Sequence, residues 1–216
     1  MLDDKPRRDQ EIRMDQQFWD DMYSETGQRF SGLPNDALVA EVTGMAPGQA
    51  LDLGCGEGAD AYWLAERGWQ VTAVDISEVA IERASAGHPE ISWRQADITV
   101  TPLPARSFDL VSAHYFPIAH EPDHATVRGL LESVAPGGTF LFVAHDPAEF
   151  PAAGEHPHEQ EEQQHRFDPY AYYLPADIVG LLDGQWTVQV DERRDRNRPA
   201  AGHQMKDLVL RLRRAD

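Results

Sequence analysis

Two hydrophobic patterns alternate along the chain. Short continuous apolar runs, which are typical of buried parallel strands, recur at regular intervals. They predict strands near 49–53, 70–74, 91–94, 108–113 and 139–144. Between these runs the apolar residues follow helical spacing, which predicts helices near 58–67, 78–86 and 123–134. Such alternation of strands and helices favours a parallel sheet with helices on both faces.

The segments on either side of this alternation are organised differently. Met14, Phe18 and Met22 lie four residues apart and predict a helix from about residue 9 to 25, and a second helix is expected from 36 to 45. Residues 146–169 are polar and proline-rich, which is typical of a long loop or insertion. The pattern after this loop predicts a helix over 174–183 and strands near 186–190 and 207–212.

The first predicted strand runs into a turn with glycine at every second position, Leu51-Asp52-Leu53-Gly54-Cys55-Gly56-Glu57-Gly58-Ala59. Glycine has no Cβ, so such a turn can take positive φ angles and lie directly against a ligand. The N–H groups at the start of the next helix then face that ligand. The turn therefore predicts a binding site at the carboxyl end of the first strand.

Two kinds of adenosine-containing cofactor compete for this turn. It satisfies the loose dinucleotide pattern, and Asp75 lies 21 residues after Gly54, near the position of a ribose-binding acid. However, Gly58 comes one position early, Asp52 lies inside the strand, and about fifty residues precede that strand. These three features favour another nucleoside cofactor over a nicotinamide dinucleotide.

Five segments, in this order, resemble the motifs of the class I S-adenosylmethionine-dependent methyltransferases. They are Leu51–Gly58, Val74–Ser77, Asp97-Ile98, Phe108–Ser112, and Leu131–Val143 with its Ala135-Pro136-Gly137-Gly138 turn. The resemblance covers about residues 15–214, and within the family the chain looks most similar to the tellurite-resistance and thiopurine methyltransferases. It implies a Rossmann-like, doubly wound α/β fold, whose seven-stranded, mostly parallel sheet has an antiparallel last strand and an N-terminal helical cap. It also implies methyl transfer from S-adenosylmethionine to a small-molecule acceptor.

The resemblance assigns roles to three acids. Asp52 would organise the ammonium end of the cofactor, Asp75 would accept hydrogen bonds from both ribose hydroxyls, and Asp97 would accept from the adenine amino group. A helix cap is the plainer interpretation of Asp75, and a loop acid that of Asp97. The full predicted cofactor-binding set is Trp19, Tyr23, Asp52, Gly54, Cys55, Gly56, Asp75, Ile76, Asp97, Ile98, His114 and Tyr115.

Some members of this set have an equally simple structural interpretation. Trp19 and Tyr23 either pack in the core or close over the cofactor, where an aromatic face would attract the sulfonium. Cys55 is expected to be a small packing residue rather than a nucleophile.

The residues after the fourth predicted strand are candidates for the acceptor side of the site. Tyr115, His120 and His145 are the candidate catalytic residues, since unperturbed histidine titrates near neutral pH and an oxygen or nitrogen acceptor can require a base. His156, His158 and His165 have spacing that suggests a metal, but no cysteine supports them, and no metal is predicted. A basic cluster over 193–198 is expected to form local ion pairs, with an anionic substrate as the alternative.

The motifs divide the chain into parts. We expect a disordered stretch over 1–9 and one methyltransferase domain over 10–216. Within the domain, the parts are a helical cap (10–46), a cofactor-binding core (47–145), an insertion or lid loop (146–169), and a C-terminal helix and strand pair (170–216).

Charge and composition limit the kinds of partner that the chain is expected to bind. The formal net charge is −18, from 37 acidic and 19 basic residues. Such a surface repels phosphate backbones and anionic membranes, so neither a nucleic acid nor a membrane is expected as a partner. The polar start of the sequence and its single cysteine favour a cytoplasmic protein. Monomer and homodimer both stay open. The alternative functions are a nicotinamide-dependent oxidoreductase on a related fold and a non-catalytic module that binds S-adenosylmethionine.

Overall fold

The computed structural model describes residues 14–25, 27–150, 168–196 and 205–216. These residues form six helices and seven strands. The helices are α1 (Gln16–Ser24), α2 (Asp36–Val42), α3 (Ala59–Glu66), α4 (Glu78–Ser85), α5 (Ala125–Ser133) and α6 (Pro175–Val179). The strands are β1 (Gln49–Leu53), β2 (Gln70–Asp75), β3 (Ser92–Gln95), β4 (Phe108–His114), β5 (Val134–His145), β6 (Trp186–Asp195) and β7 (Lys206–Arg214).

The seven strands form one sheet in the order β3-β2-β1-β4-β5-β7-β6. Pairs among β1 to β5 are parallel, and β7 runs antiparallel to both of its neighbours, β5 and β6. The predicted fold, including the antiparallel last strand, is therefore confirmed. The strand order reverses between β1 and β4, and open α/β sheets bind ligands in the crevice outside the carboxyl ends at such a point.

Each face of the sheet carries its own hydrophobic layer. On one face, Leu51 and Leu53 of β1 pack in a cluster that includes buried residues of α5 and α6. On the other face, Ala50 of β1 packs in a cluster with residues of α2 and α3. Burial on both faces explains the nearly continuous apolar runs of the central strands.

The largest differences from the predicted boundaries are in β5, α6 and β6, and those in β5 and β6 have a tertiary reason. Strand β5 begins at Val134, which pairs with Phe108, and regular pairing resumes only at Thr139 opposite Leu110. Helix α6 has five residues and ends well before 183. Strand β6 extends to Asp195, beyond the expected 190, because β7 pairs with it over its full length. As an edge strand, β6 tolerates the charged residues that conceal it in the sequence.

Only part of the basic cluster forms the expected local ion pairs. Arg194 pairs with Glu192 at 2.5 Å, as expected, but also with the buried Glu41 of α2 at 2.7 Å. Arg211 of β7 reaches the same carboxylate at 3.0 Å. Glu41 therefore fastens α2 to the antiparallel end of the sheet, which no local pattern indicates.

Candidate cofactor and acceptor site

A cavity of about 1190 Å³ opens at the carboxyl ends of the parallel strands. It exceeds the roughly 300–1,000 Å³ of ordinary small-molecule sites, so it has room for a cofactor and a second small ligand. Every candidate residue named from the sequence contributes to its wall. These residues are Trp19, Tyr23, Asp52, Gly54, Cys55, Gly56, Asp75, Ile76, Asp97, Ile98, His114, Tyr115, His120 and His145.

The glycine turn after β1 forms one wall of the cavity. Gly54 has φ +64° and Gly56 has φ +49°, in the left-handed region that favours glycine. A Cβ on Gly54 would lie 2.7 Å from the ring of Phe116, and a Cβ on Gly56 would lie 2.7 Å from the Tyr23 hydroxyl. The Gly54 N–H donates to the Val74 carbonyl at 2.8 Å, which fixes the turn to β2. Both glycines are thus required by conformation and by close packing.

Asp75, at the end of β2, holds the other side of this turn. Its two carboxylate oxygens accept from the Gly56 and Ser77 N–H groups, each at 2.9 Å. The carboxylate is buried, and burial raises its pKa. Each carboxylate oxygen has a second lone pair, so Asp75 can still accept from two ligand hydroxyls.

Asp52 is the most unusual acid in the cavity wall. It is 2% exposed, and its Oδ2 has no hydrogen-bond partner among the described residues. Burial raises its pKa well above the usual range, and the nearby carboxylates of Asp60 and Asp75 add to this effect. A buried carboxylate without a donor is costly. A cationic ligand donor in the cavity would remove that cost.

His114, at the end of β4, is in a similar position. The side chain is buried, and neither ring nitrogen has a hydrogen-bond partner within the described part of the chain. Burial lowers its pKa, so the ring is neutral and offers one donor and one acceptor. Asp52 and His114 are therefore two unsatisfied polar groups on the wall of one cavity.

Asp97 makes the contacts of a loop acid and also lines the cavity. Its Oδ1 accepts from the Thr99 N–H at 2.9 Å and from the Thr99 hydroxyl at 2.7 Å, as in a loop acid. These bonds use one carboxylate oxygen and leave the other outside the turn. Asp97 and Ile98 both line the cavity, and Ile98 packs against the apolar cluster beneath it.

The N-terminal helices close the cavity from one side through two acids that the sequence did not single out. Asp20 of α1 accepts from the Ser77 hydroxyl at 2.6 Å and thereby docks α1 on the start of α4. Glu57, in the glycine turn, accepts from the Arg29 and Phe30 N–H groups, each at 2.9 Å. Both contacts join segments far apart in sequence, so no local signal could have found them.

A cluster of polar residues lines another part of the cavity wall, beside the ends of β4 and β5. The Tyr115 hydroxyl donates to Asp207 at 2.7 Å, and its ring stacks on His145 with centroids 4.4 Å apart. Arg196 donates to Asp207 at 2.6 Å and to His145 Nδ1 at 2.7 Å. Tyr115 has φ +53°, a strained value for a non-glycine residue that is often found at functional sites. We call Tyr115, His145, Arg196 and Asp207 the polar cluster.

Both potential bases of the polar cluster have shifted pKa values. Burial lowers the pKa of His145 to about 4, and the Arg196 charge adds to the shift. Burial and then the Asp207 charge raise the pKa of Tyr115 above its usual range. At neutral pH the imidazole is therefore neutral and the phenol protonated. Arg196 belongs to the basic cluster noted in the sequence, which was expected to form local ion pairs or to meet an anionic substrate, whereas no motif pointed to Asp207.

His120 lies on the rim rather than in the polar cluster. Its ring packs at 4.3 Å on Tyr173, and its Nε2 lies 3.7 Å from Asp177. The histidine-rich segment 155–165 lies outside the described residues. In the described part, no group of three or more His, Cys, Asp or Glu side chains is placed to hold a metal ion.

Residues 50–138 match a family model described as a methyltransferase domain. This match supports the predicted resemblance to the class I S-adenosylmethionine-dependent methyltransferases. The cypemycin N-terminal methyltransferase of a Streptomyces species is 34% identical over 133 residues, which are 56% of this chain and 53% of that protein. The 2-heptyl-1-hydroxyquinolin-4(1H)-one methyltransferase of Mycobacteroides abscessus is 29% identical over 144 residues, 62% of this chain and 63% of that protein.

A solved structure extends the likeness over most of this chain. It belongs to a study of the conversion of a disulfide bond into a thioacetal group during echinomycin biosynthesis, and it superposes with a TM-score of 0.69 at 23% identity. The match covers 93% of this chain and 91% of that one, and shows the shared fold. By contrast, the chain spans only 53% and 63% of the two curated relatives. The narrower resemblance to tellurite-resistance and thiopurine enzymes stays a prediction.

The described residues that line the cavity fit S-adenosylmethionine. Gly54 and Gly56 line it without a Cβ, Asp52 has an unpaired carboxylate oxygen for an ammonium group, and Asp75 has lone pairs for two hydroxyls. The prediction of this cofactor is confirmed at the level of the family. The role of each single residue stays a prediction. Within the described ranges, no helix has the length and hydropathy to cross a membrane.

Proposed function

We propose that this protein transfers the methyl group of S-adenosylmethionine to a small-molecule acceptor. The observation that carries the proposal is one cavity of about 1190 Å³ whose wall contains both the glycine turn, with Asp52 and Asp75, and the polar cluster. This volume leaves room for an acceptor beside a bound cofactor.

In such a reaction the residues of the chain hold the cofactor, orient it and limit the access of water. S-adenosylmethionine, when bound, supplies a methyl group already activated by the positive charge on its sulfur. Asp75 and the glycine turn hold and orient the nucleoside, while α1, docked through Asp20, limits the access of water. Alignment of two reactants in this way can supply about 7–11 kcal/mol of the barrier. No further activation by the protein is needed for a soft acceptor.

Two further observations support a small acceptor. The formal net charge of −18 disfavours nucleic acid. One relative is named for N-terminal methylation of cypemycin, and the other for methylation of 2-heptyl-1-hydroxyquinolin-4(1H)-one. Neither name identifies the acceptor of this chain.

Product formation tests the proposal. The purified protein is incubated with S-adenosylmethionine and a broad panel of small thiols, phenols, amines and quinolinones, and S-adenosylhomocysteine is quantified by mass spectrometry. We expect release above background with at least one acceptor and its loss in Asp75→Ala. Tight cofactor binding without turnover on any panel member would favour the non-catalytic module instead. Binding of NAD in place of S-adenosylmethionine would favour the oxidoreductase.

A further inference from the structure

The hydrogen-bond donors of the polar cluster suggest which methyl acceptors the cavity recognises. An arginine guanidinium can only donate hydrogen bonds. Because Arg196 Nη2 lies 2.7 Å from His145 Nδ1, that nitrogen must be the acceptor. The proton of the neutral ring is then on Nε2. His145 can therefore donate to a ligand, whereas its one lone pair is already in use.

The other members of the polar cluster do not offer a base either. The Tyr115 hydroxyl donates to Asp207 Oδ2, and Asp207 Oδ1 accepts from Arg196. Asp207 Oδ2 also accepts from Arg196 Nε at 3.3 Å, so the carboxylate receives three hydrogen bonds from Tyr115 and Arg196 and balances the charge of Arg196. The donor that the cluster leaves for a ligand is the His145 Nε2–H, on a ring that lines the cavity and stacks on Tyr115. This geometry argues against the predicted role of His145 as a general base.

An apolar recess adjoins the polar cluster. It has a volume of about 60 Å³, and its wall includes Phe116, Phe142, Tyr173 and Leu174. His145 lines both this recess and the main cavity. The volume is several times the roughly 10–15 Å³ that a cavity needs to hold one water molecule, so the recess has room for a small alkyl group.

We propose that the polar cluster and this recess form the acceptor subsite, and that it selects a small molecule with a carbonyl-type oxygen next to a small apolar group. The His145 Nε2–H donates to the carbonyl oxygen, and the recess takes the alkyl group. Arg196 and Asp207 are positioning residues, since they set the tautomer and orientation of His145. The subsite rests on the proposed methyltransferase function, because it orients the molecule that receives the methyl group.

Two matched probes test this subsite by binding. Both probes, 4-hydroxyacetophenone and 4-isopropylphenol, are phenols whose para substituent carries a methyl group. The first substituent also carries a carbonyl oxygen, and the second carries another methyl group in its place. Their dissociation constants are measured by ligand-observed NMR on protein saturated with S-adenosylhomocysteine. The ratio of the two constants is compared between the wild type and His145→Phe, which keeps an aromatic ring at that position. His88→Phe is the control, since His88 lies outside the cavity and also stacks on a tyrosine, Tyr62.

We expect the preference for the ketone to fall by about threefold to tenfold in His145→Phe, the usual worth of one hydrogen bond. It should stay unchanged in His88→Phe. An unchanged ratio in His145→Phe, or the failure of both probes to bind the saturated protein, would overturn the subsite while leaving cofactor binding and methyl transfer intact. Failure of S-adenosylhomocysteine to bind would overturn both proposals.

A second variant checks the positioning role and does not depend on the folding of His145→Phe. In the wild type, ¹⁵N NMR at neutral pH should show His145 as the Nε2–H tautomer. In Arg196→Met, which keeps the chain length without the donor, the ring should lose this fixed tautomer and its pKa should rise. A wild-type ring protonated on Nδ1, or a tautomer unaffected by Arg196→Met, would contradict the assignment.

Discussion

Asp52 gives the most specific prediction about the cofactor end of the site. Its carboxylate is 2% exposed, one oxygen has no partner in the described structure, and burial raises its pKa. A ligand ammonium next to it favours the ionised form and lowers that pKa. Binding of S-adenosylhomocysteine, which carries an ammonium group, should therefore release protons. By linkage, the affinity should weaken as the pH falls through the pKa of the unliganded protein.

The size of the effect follows from the lost interaction. A charge-assisted hydrogen bond contributes about 1.5–3 kcal/mol, so Asp52→Asn should weaken binding by about 10- to 150-fold where Asp52 is ionised in the complex. Because the introduced amide cannot titrate, proton release should also disappear in the variant, and the affinity gap should close at low pH.

Calorimetry in two buffers of different ionisation enthalpy measures this release between about pH 5 and 8. Asp109→Asn is the matched control, because Asp109 bonds the Gln49 N–H at 2.8 Å at the opposite end of the sheet and does not line the cavity. Equal binding enthalpies in both buffers, or the same proton release in Asp52→Asn as in the wild type, would show that Asp52 does not bind the ammonium group.

Three further predictions concern stability. Gly56→Ala places a Cβ 2.7 Å from the Tyr23 hydroxyl at φ +49°, so its free energy of unfolding should fall by about 1–2 kcal/mol in urea titrations, and an unchanged value would count against this turn geometry. Glu41→Ala breaks the 2.7 Å pair with Arg194 and should cost about 1.5–3 kcal/mol in the same assay, whereas a neutral result would mean the pair is dispensable. The pKa of His145 is about 4 in the folded protein, below its value in the unfolded chain. Its neutral ring therefore contributes fully to the free energy of unfolding above pH ~6.5. This contribution is lost as the pH falls toward 4, and it amounts to at most about 3 kcal/mol. In His145→Phe this part of the pH dependence should be absent, and its persistence would point to other groups.

The central strands could be predicted well from the sequence, because strands buried on both faces consist of continuous apolar residues. The runs that became β1, β2 and β4 are apolar on both faces, and glycine turns or polar residues bound them. The edges were harder. Strand β6 carries a charged stretch that forms a strand only because β7 pairs with it, and β5 starts at Val134 only because Phe108 is opposite.

The same distinction applies to the site. Asp52, Asp75 and the glycine turn could be found because they lie at fixed positions after predicted strands, and the sheet brings such positions to one edge. Asp207 could not be found, because its contact with Tyr115 joins residues 92 apart in sequence. His145 was found by position, but its tautomer depends on that distant network. Position is encoded locally, whereas protonation depends on the folded neighbours.

The most direct test of the account is the affinity of the wild type and of Asp75→Ala for S-adenosylhomocysteine, with NAD as the competing nucleotide. We expect saturable binding of S-adenosylhomocysteine to the wild type and no displacement by NAD. The affinity of folded Asp75→Ala should be lower by at least about tenfold, because one charge-assisted hydrogen bond is lost. Undiminished affinity in the variant, or displacement by NAD, would contradict it.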